Sequence, residues 1–110
     1  MELNVFERLL LRNIVPQIQG WNYANMKDAR ELLEGLFTEE EEADLQFEQD
    51  GTQVKWKVAK EDGTPIEQER DIPVPEGLKK KIGKFLTQLD KEEKLGFEHM
   101  TLCDKFGMGG

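Results

Sequence analysis

Residues 45–58 read LQFEQDGTQVKWKV. Leu45 to Gln49 alternates apolar and polar, and so does Thr52 to Val58. Between them lies Asp50-Gly51, a strong short-range signal for a two-residue hairpin turn. The turn predicts a register in which Gln49 faces Thr52, Phe47 faces Val54 and Leu45 faces Trp56. Successive side chains of a strand point to opposite faces, so this pairing gathers the apolar residues on one side. A second bend, Glu61-Asp62-Gly63, predicts that Lys60 faces Thr64 and Val58 faces Ile66. It also sets Lys57 opposite Glu67 and Lys55 opposite Glu69, and opposite charges across strands contribute about 0.2–1 kcal/mol each. The two turns together predict a three-stranded antiparallel meander with Trp56 on its central strand and Pro65 on an edge, where a missing N–H is tolerated. On that placement Trp56→Ala costs about 3–5 kcal/mol.

Helical periodicity surrounds this core segment. Upstream, Phe6, Leu9, Leu10 and Ile14 recur at three- and four-residue steps. Asn4 and Glu7 form a capping box, and Pro16 stops the helix near Val15. Gln17 to Tyr23 reads as a loop. A second helix spans about Asn25 to Leu36, with Met26, Ala29, Leu32, Leu33 and Leu36 as its buried stripe. Thr38 opens a short third helix, with Glu41 three places on. Acids Glu39 to Glu42 fill its first turn, where the helix start favours negative charge. Downstream, Pro73 and Pro75 end the sheet. A long helix begins at Glu76 with the stripe Leu78, Ile82, Phe85, Leu86 and Leu89, and Gly83 within it points to a close crossing. A last short helix, about Phe97 to Phe106, buries some of Met100, Leu102, Cys103 and Phe106. The expected fold is α+β: two to three N-terminal helices, a three-stranded antiparallel meander and two C-terminal helices. Residues 1–106 form a single globular domain, and 107–110 a disordered glycine-rich tail.

Composition bounds the function. The chain has 110 residues, 23 acids against 15 bases, and a formal charge of −8. Residues 1–50 hold 12 acids and 4 bases, so the whole imbalance lies there. Such a charge repels nucleic-acid phosphates, and direct nucleic-acid binding is not expected. No apolar run approaches the roughly 20 residues that cross a bilayer. One cysteine excludes an internal disulfide framework. No secretion signal is visible, so the expected location is cytoplasmic.

Several clusters invite a chemical reading. His99 and Cys103, four apart, share a helix face, but a structural zinc site needs four ligands, and a thiolate near a helix's carboxyl end meets the unfavourable dipole. The plainer reading is a half-buried helix pair. Glu39, Glu40, Glu41 and Glu42, with Asp44, are candidate contacts for a cation or a basic partner, although a solvated first turn is the commoner meaning of such a run and the loop spacing of a calcium site is absent. Lys79, Lys80, Lys81 and Lys84 lack the interleaved aromatics of a nucleic-acid face and read as a solvated stripe. Trp21 and Tyr23, in a Gly-containing loop, are either core plugs or anchors for a partner. No phosphate-cradling glycine motif, nucleophile elbow or two-metal carboxylate cluster is present. The expected inventory is therefore no catalytic residue, no metal and no cofactor.

The order of segments VFERLLLRNIVPQ (5–17), ARELLEGLFTEEEEADLQF (29–47), DGTQVKW (50–56) and LDKEEKLGFEHMTLCDKF (89–106) resembles small proteins of tailed phages and prophages that have no assigned activity. The sequence departs from that pattern in its glycine-rich end and in the Trp21–Tyr23 loop. The resemblance implies a bacterial host's cytoplasm and an accessory role; it carries over no site residues. The expectation is a non-enzymatic interaction protein acting through an unidentified protein partner, with homo-oligomerisation left open. The alternative is an acidic nucleic-acid mimic that blocks a basic host protein.

Overall fold

Two sequence-encoded caps set the helical frame. In the computed structural model, which describes residues 1–51 and 53–106, Asn4 Oδ1 accepts from the Glu7 N–H at 2.8 Å, and Glu7 Oε1 accepts from the Asn4 N–H at 2.9 Å. This capping box starts α1 (Val5–Ile14). One turn of 3-10 helix, Val15–Gln17, follows and contains Pro16. α2 (Tyr23–Gly35) starts two residues before the expected Asn25, because Asn22 caps it by accepting from the Asn25 N–H. The second box, Thr38 with Glu41, starts α3 (Glu39–Leu45). α4 (Glu76–Lys91) begins at the expected glutamate, directly after Pro75. It ends in a Schellman motif: the Lys94 N–H reaches the Leu89 carbonyl and the Glu93 N–H that of Asp90, with Glu93 left-handed. A 3-10 turn, Phe97–His99, leads into α5 (Met100–Lys105).

The fold is α+β, but its strands are arranged differently from the expected meander. β1 (Glu2–Asn4) pairs antiparallel with β4 (Glu69–Asp71), and β2 (Glu48–Asp50) pairs with β3 (Gln53–Lys55). These are two separate two-stranded sheets. The capping box carries α3 through Leu45, and Gln46 closes it in the left-handed conformation at φ 47°; Leu45 therefore belongs to a helix rather than a strand. The hairpin register places Gln49 opposite Val54 and Glu48 opposite Lys55, two residues away from the expected pairing. A shift of two preserves the face of every side chain. The expected partner of Gln49, Thr52, lies outside the described residues, as does the tail 107–110.

The second bend forms as expected. The Lys60 N–H reaches the Thr64 carbonyl, and the Ile66 N–H that of Val58. Pairing there is a single bridge, Ala59 to Pro65. Lys57 and Glu67 do not belong to strands, and Glu69 faces Asn4 rather than Lys55. The N-terminal strand takes the partner that the meander would have used.

The main core is helical. Leu11, Ile14, Leu32, Leu36, Leu78, Ile82, Leu86, Leu102 and Phe106 pack together with Leu3 and Ile72 of the β1–β4 region. Gly83 makes the expected close crossing: a Cβ there would lie 3.2 Å from the Phe106 carbonyl oxygen. A second, smaller cluster holds Val5, Leu45 and Ile66, with Leu9, Phe37, Phe47 and Trp56 half-buried around it. Trp56 is thus peripheral, not central. It stacks on Phe6 at 6.4 Å, meets Phe47 edge-on and donates its indole N–H to Gln68 at 3.0 Å. Val58, expected on the buried sheet face, is 63% exposed, and Met26 and Phe6 also stand outside their expected stripes. No helix among the described residues is long and apolar enough to cross a membrane.

Candidate functional site

An open, mainly apolar surface lies where α4 ends and α5 begins. A cleft of about 450 Å³ is bordered by Leu95, Phe97, Met100 and Cys103, with the carboxylates of Asp90 and Asp104 on its margin. Phe97 is 90% exposed and Met100 56%. Of the four residues from which the last helix is expected to bury some, Leu102 and Phe106 are buried, Cys103 is half-buried and Met100 is exposed. Leu102 and Phe106, four apart, already occupy the inward stripe of α5. At 100° per residue Met100 lies about 200° from Leu102, on the other side of the helix. That offset was available in the sequence and is the signal that would have marked this surface.

The reactive groups in the cleft are held in quiet states. Burial raises the Cys103 thiol above its ordinary value, and the nearby carboxylates of Asp104 and Asp90 raise it further. It is a protonated thiol at neutral pH, and the thiolate is what nucleophilic chemistry needs. His99 Nδ1 accepts the Gly96 N–H at 3.0 Å, which spends that nitrogen's lone pair on holding the 3-10 turn and leaves the ring proton on Nε2. His99 and Cys103 do line one cleft, as their spacing implies. Among the described residues, no group of three or more His, Cys, Asp or Glu is placed to hold a metal ion.

The four glutamates separate into two roles. Glu41 is committed to structure: Oε2 accepts from Arg8 Nη1 at 2.6 Å, Oε1 accepts the Thr38 N–H, and Arg70 Nε lies 3.0 Å from Oε1, though too obliquely to donate to it. Burial pushes the Glu41 carboxyl up, but the Arg8 hydrogen bond, the Thr38 N–H and the charges of Arg8 and Arg70 outweigh it and hold the acid below its ordinary value. Glu39, Glu40 and Glu42 are exposed.

Trp21 and Tyr23 also part company. Trp21 packs half-buried against the main core, with Lys81 Nζ 5.4 Å above its ring centroid. The same ammonium donates to the Gly20 carbonyl, so Lys81 is a clamp on this loop rather than a member of a freely solvated stripe. Tyr23 is 80% exposed at the first turn of α2.

The least expected feature is a pair of wholly buried charged residues, Glu7 and Arg8. Arg8 donates to the Leu36 carbonyl at 2.9 Å and the Gln68 carbonyl at 3.1 Å, besides Glu41, and lies 4.6 Å from the Phe37 ring centroid. Arg70 Nη2 adds bonds to the carbonyls of Gly35 and Leu36. Two guanidiniums thus satisfy the carboxyl end of α2, where carbonyls lack partners and the dipole favours cations. Glu7 Oε1 accepts from Lys105 Nζ at 2.7 Å. Burial raises this acid, yet Lys105 and the Asn4 N–H bring it below the ordinary value. These groups link distant segments, and Glu7 and Arg8 themselves present nothing to solvent.

No known protein family, no curated protein and no solved structure matches this chain.

Proposed function

We propose that this chain is a non-enzymatic accessory protein that works by protein–protein contact, and that the cleft between α4 and α5 is its contact surface. The observation that supports this is the exposure of Phe97 and Met100 around an apolar cleft. Aromatic and methionine side chains are enriched at contact surfaces and are the usual anchors of binding energy. The protonated Cys103 and the engaged His99 favour contact over chemistry at this place. The likeness of segment order to phage and prophage proteins supports an accessory role in a bacterial host's cytoplasm.

Affinity capture from bacterial lysate tests the proposal, using the native chain beside the double variant Phe97→Ser, Met100→Ser. Both positions are outward-facing, so the variant keeps the helical circular dichroism and melting temperature of the native chain. The expected result is a specific captured protein that the variant loses. A partner retained by a folded variant would overturn the assignment of this surface.

A second reading, mimicry of nucleic acid, draws on Glu39, Glu40 and Glu42 standing exposed on one turn of α3. It predicts capture of a DNA-binding protein that weakens steeply with salt and is lost on replacing those three glutamates by glutamine. Capture that is insensitive to both changes argues against it.

A further inference from the structure

The charge around the cleft says what kind of segment fits it. Its two charged margins are both acids, Asp90 from the last turn of α4 and Asp104 from α5. They come from different helices and line one cleft together with Cys103. Neither carboxylate makes a side-chain hydrogen bond or ion pair among the described residues. No Lys or Arg lines the cleft; His99 does, with its Nδ1 taken up by the Gly96 N–H. Of the bases flanking it, Lys94 lies beside Glu92, and Lys105 is turned away to Glu7 and the Glu2 carbonyl. The carboxyl end of α4 adds its partial negative charge. The lining is mainly apolar, and the carboxylates of Asp90 and Asp104 are its two full charges, with Lys91 next to Asp90 at the end of α4.

We propose that the cleft takes a cationic amphipathic peptide segment of a partner protein, one that seats a bulky apolar side chain against Phe97 and Met100 and sets Lys or Arg against Asp90 and Asp104. This deepens the reading of the cleft as a contact surface and rests on it. The volume lies near the small end of the 300–1,000 Å³ that ligand pockets span, which suits one or two inserted side chains rather than a whole domain face. A cation beside each carboxylate pairs charges that have no side-chain partner among the described residues, and complementary charge fixes register and partner choice.

The test uses two synthetic peptides of equal apolar content, one alternating Leu with Lys and the other Leu with Glu. Calorimetry gives the affinities, amide chemical shifts locate the site, and the rate of Cys103 alkylation by a maleimide reports occupancy. The Leu/Lys peptide should bind, shift amides within residues 90–104 and slow the alkylation; the Leu/Glu peptide should bind at least tenfold more weakly. Because the whole chain is acidic, the control is positional. Asp90→Asn with Asp104→Asn should weaken the Leu/Lys peptide about fivefold, the worth of two partly exposed ion pairs, whereas Glu39→Gln, Glu40→Gln and Glu42→Gln together should change it by less than twofold. The Asp variants also leave Cys103 with a lower thiol value and faster alkylation in the free protein, which confirms that the field at the cleft has changed.

The two levels fail separately. Equal binding of both peptides at residues 90–104, lost in the Phe97→Ser, Met100→Ser variant, would overturn the charge preference and leave the contact surface standing. Leu/Lys binding that shifts residues 38–44 instead, or that survives the Phe97 and Met100 changes, would overturn both.

Discussion

The two apolar clusters of this protein are built on opposite terms. The main one is made of helix stripes whose members, Leu11, Leu78, Ile82, Leu86 and Leu102 among them, lose almost all contact with water. The smaller one has three buried residues, Val5, Leu45 and Ile66, under a rim of half-exposed aromatics. The hairpin beside it is nearly all surface: β2 is exposed throughout and only Val54 of β3 is half-buried. The turn chemistry that forms a hairpin says nothing about what will cover it. A sheet of two strands has too little area to carry a core, and here the helices carry it without the hairpin. Arg8 sits at the seam, bonded to the end of α2, to Glu41 of α3 and to the Gln68 carbonyl.

The seam should be the most sensitive place in the molecule. Arg8→Ala leaves the Glu41 carboxylate and the carbonyls of Leu36 and Gln68 short of a buried partner. Breaking one side of a buried pair costs about 3–5 kcal/mol, and chemical denaturation should show a loss of that size. Arg8→Met keeps the volume and removes the charge. Combined with Glu41→Gln it should recover part of the loss, because a buried charge is then no longer stranded. A loss below 1 kcal/mol for Arg8→Ala would show that the clusters stand independently of the seam.

The main core comes next. Leu86→Ala should cost about 3–4 kcal/mol and Trp56→Ala about 1–2 kcal/mol, since a cavity in a closed cluster cannot collapse whereas a half-exposed indole leaves room that water fills. Urea midpoints of the two variants measure the contrast. Equal losses would mean that the hairpin cluster is packed as tightly as the helical one.

Acid should act through the same seam. Glu41 and Glu7 both titrate below the ordinary glutamate value, about 4.3 in an unfolded chain, because the folded state favours their charged forms. Groups depressed on folding contribute stability that is complete above the unfolded value and is lost as pH falls through the folded one. Stability should therefore hold from pH 7 to about 5 and decline below about 4. Glu41→Gln lowers stability at pH 7 but flattens that decline, and denaturation midpoints at pH 7 and pH 3 give the slope. An unchanged slope would place the acid sensitivity elsewhere.

What the sequence revealed follows from how far each signal reaches. The boxes at Asn4 and Thr38, the stop near Pro16, the start at Glu76 and the α4 stripe all depend on neighbours within a turn or two, and all stand in the structure. β1 does not have that advantage. Its three residues carry no period, and its partner, β4, lies at the far side of three helices and a hairpin. Glu7 was legible only as a cap and Arg8 not at all, because the groups that bond to them from afar, Lys105, Leu36, Gln68 and Glu41, come from four other segments. The cleft was half visible: Cys103, His99 and Met100 were on one short segment, but the exposure of Phe97 depends on the 3-10 turn that precedes α5. Glu41, grouped with its exposed neighbours by composition, is separated from them by the helical turn that aims it inward at Arg8.

The smallest effects distinguish the regions by their glycines. Gly63 in the second bend has φ +86° with open space where a Cβ would be, so its requirement is conformational. An L-residue there costs about 1 kcal/mol, and Asn, which tolerates positive φ, should cost less than Ala. Gly83 has an ordinary helical backbone, but a Cβ would press on the Phe106 carbonyl at 3.2 Å. Ala gains about 1 kcal/mol of helix propensity at that position and must push α4 away from the end of α5. The two terms nearly cancel, and Gly83→Ala should melt within a few degrees of the native chain, while Gly63→Ala falls below it and Gly63→Asn lies between. A clear rise in melting temperature for Gly83→Ala would mean that the crossing has slack, and that the helical core is looser at its rim than its buried leucines imply.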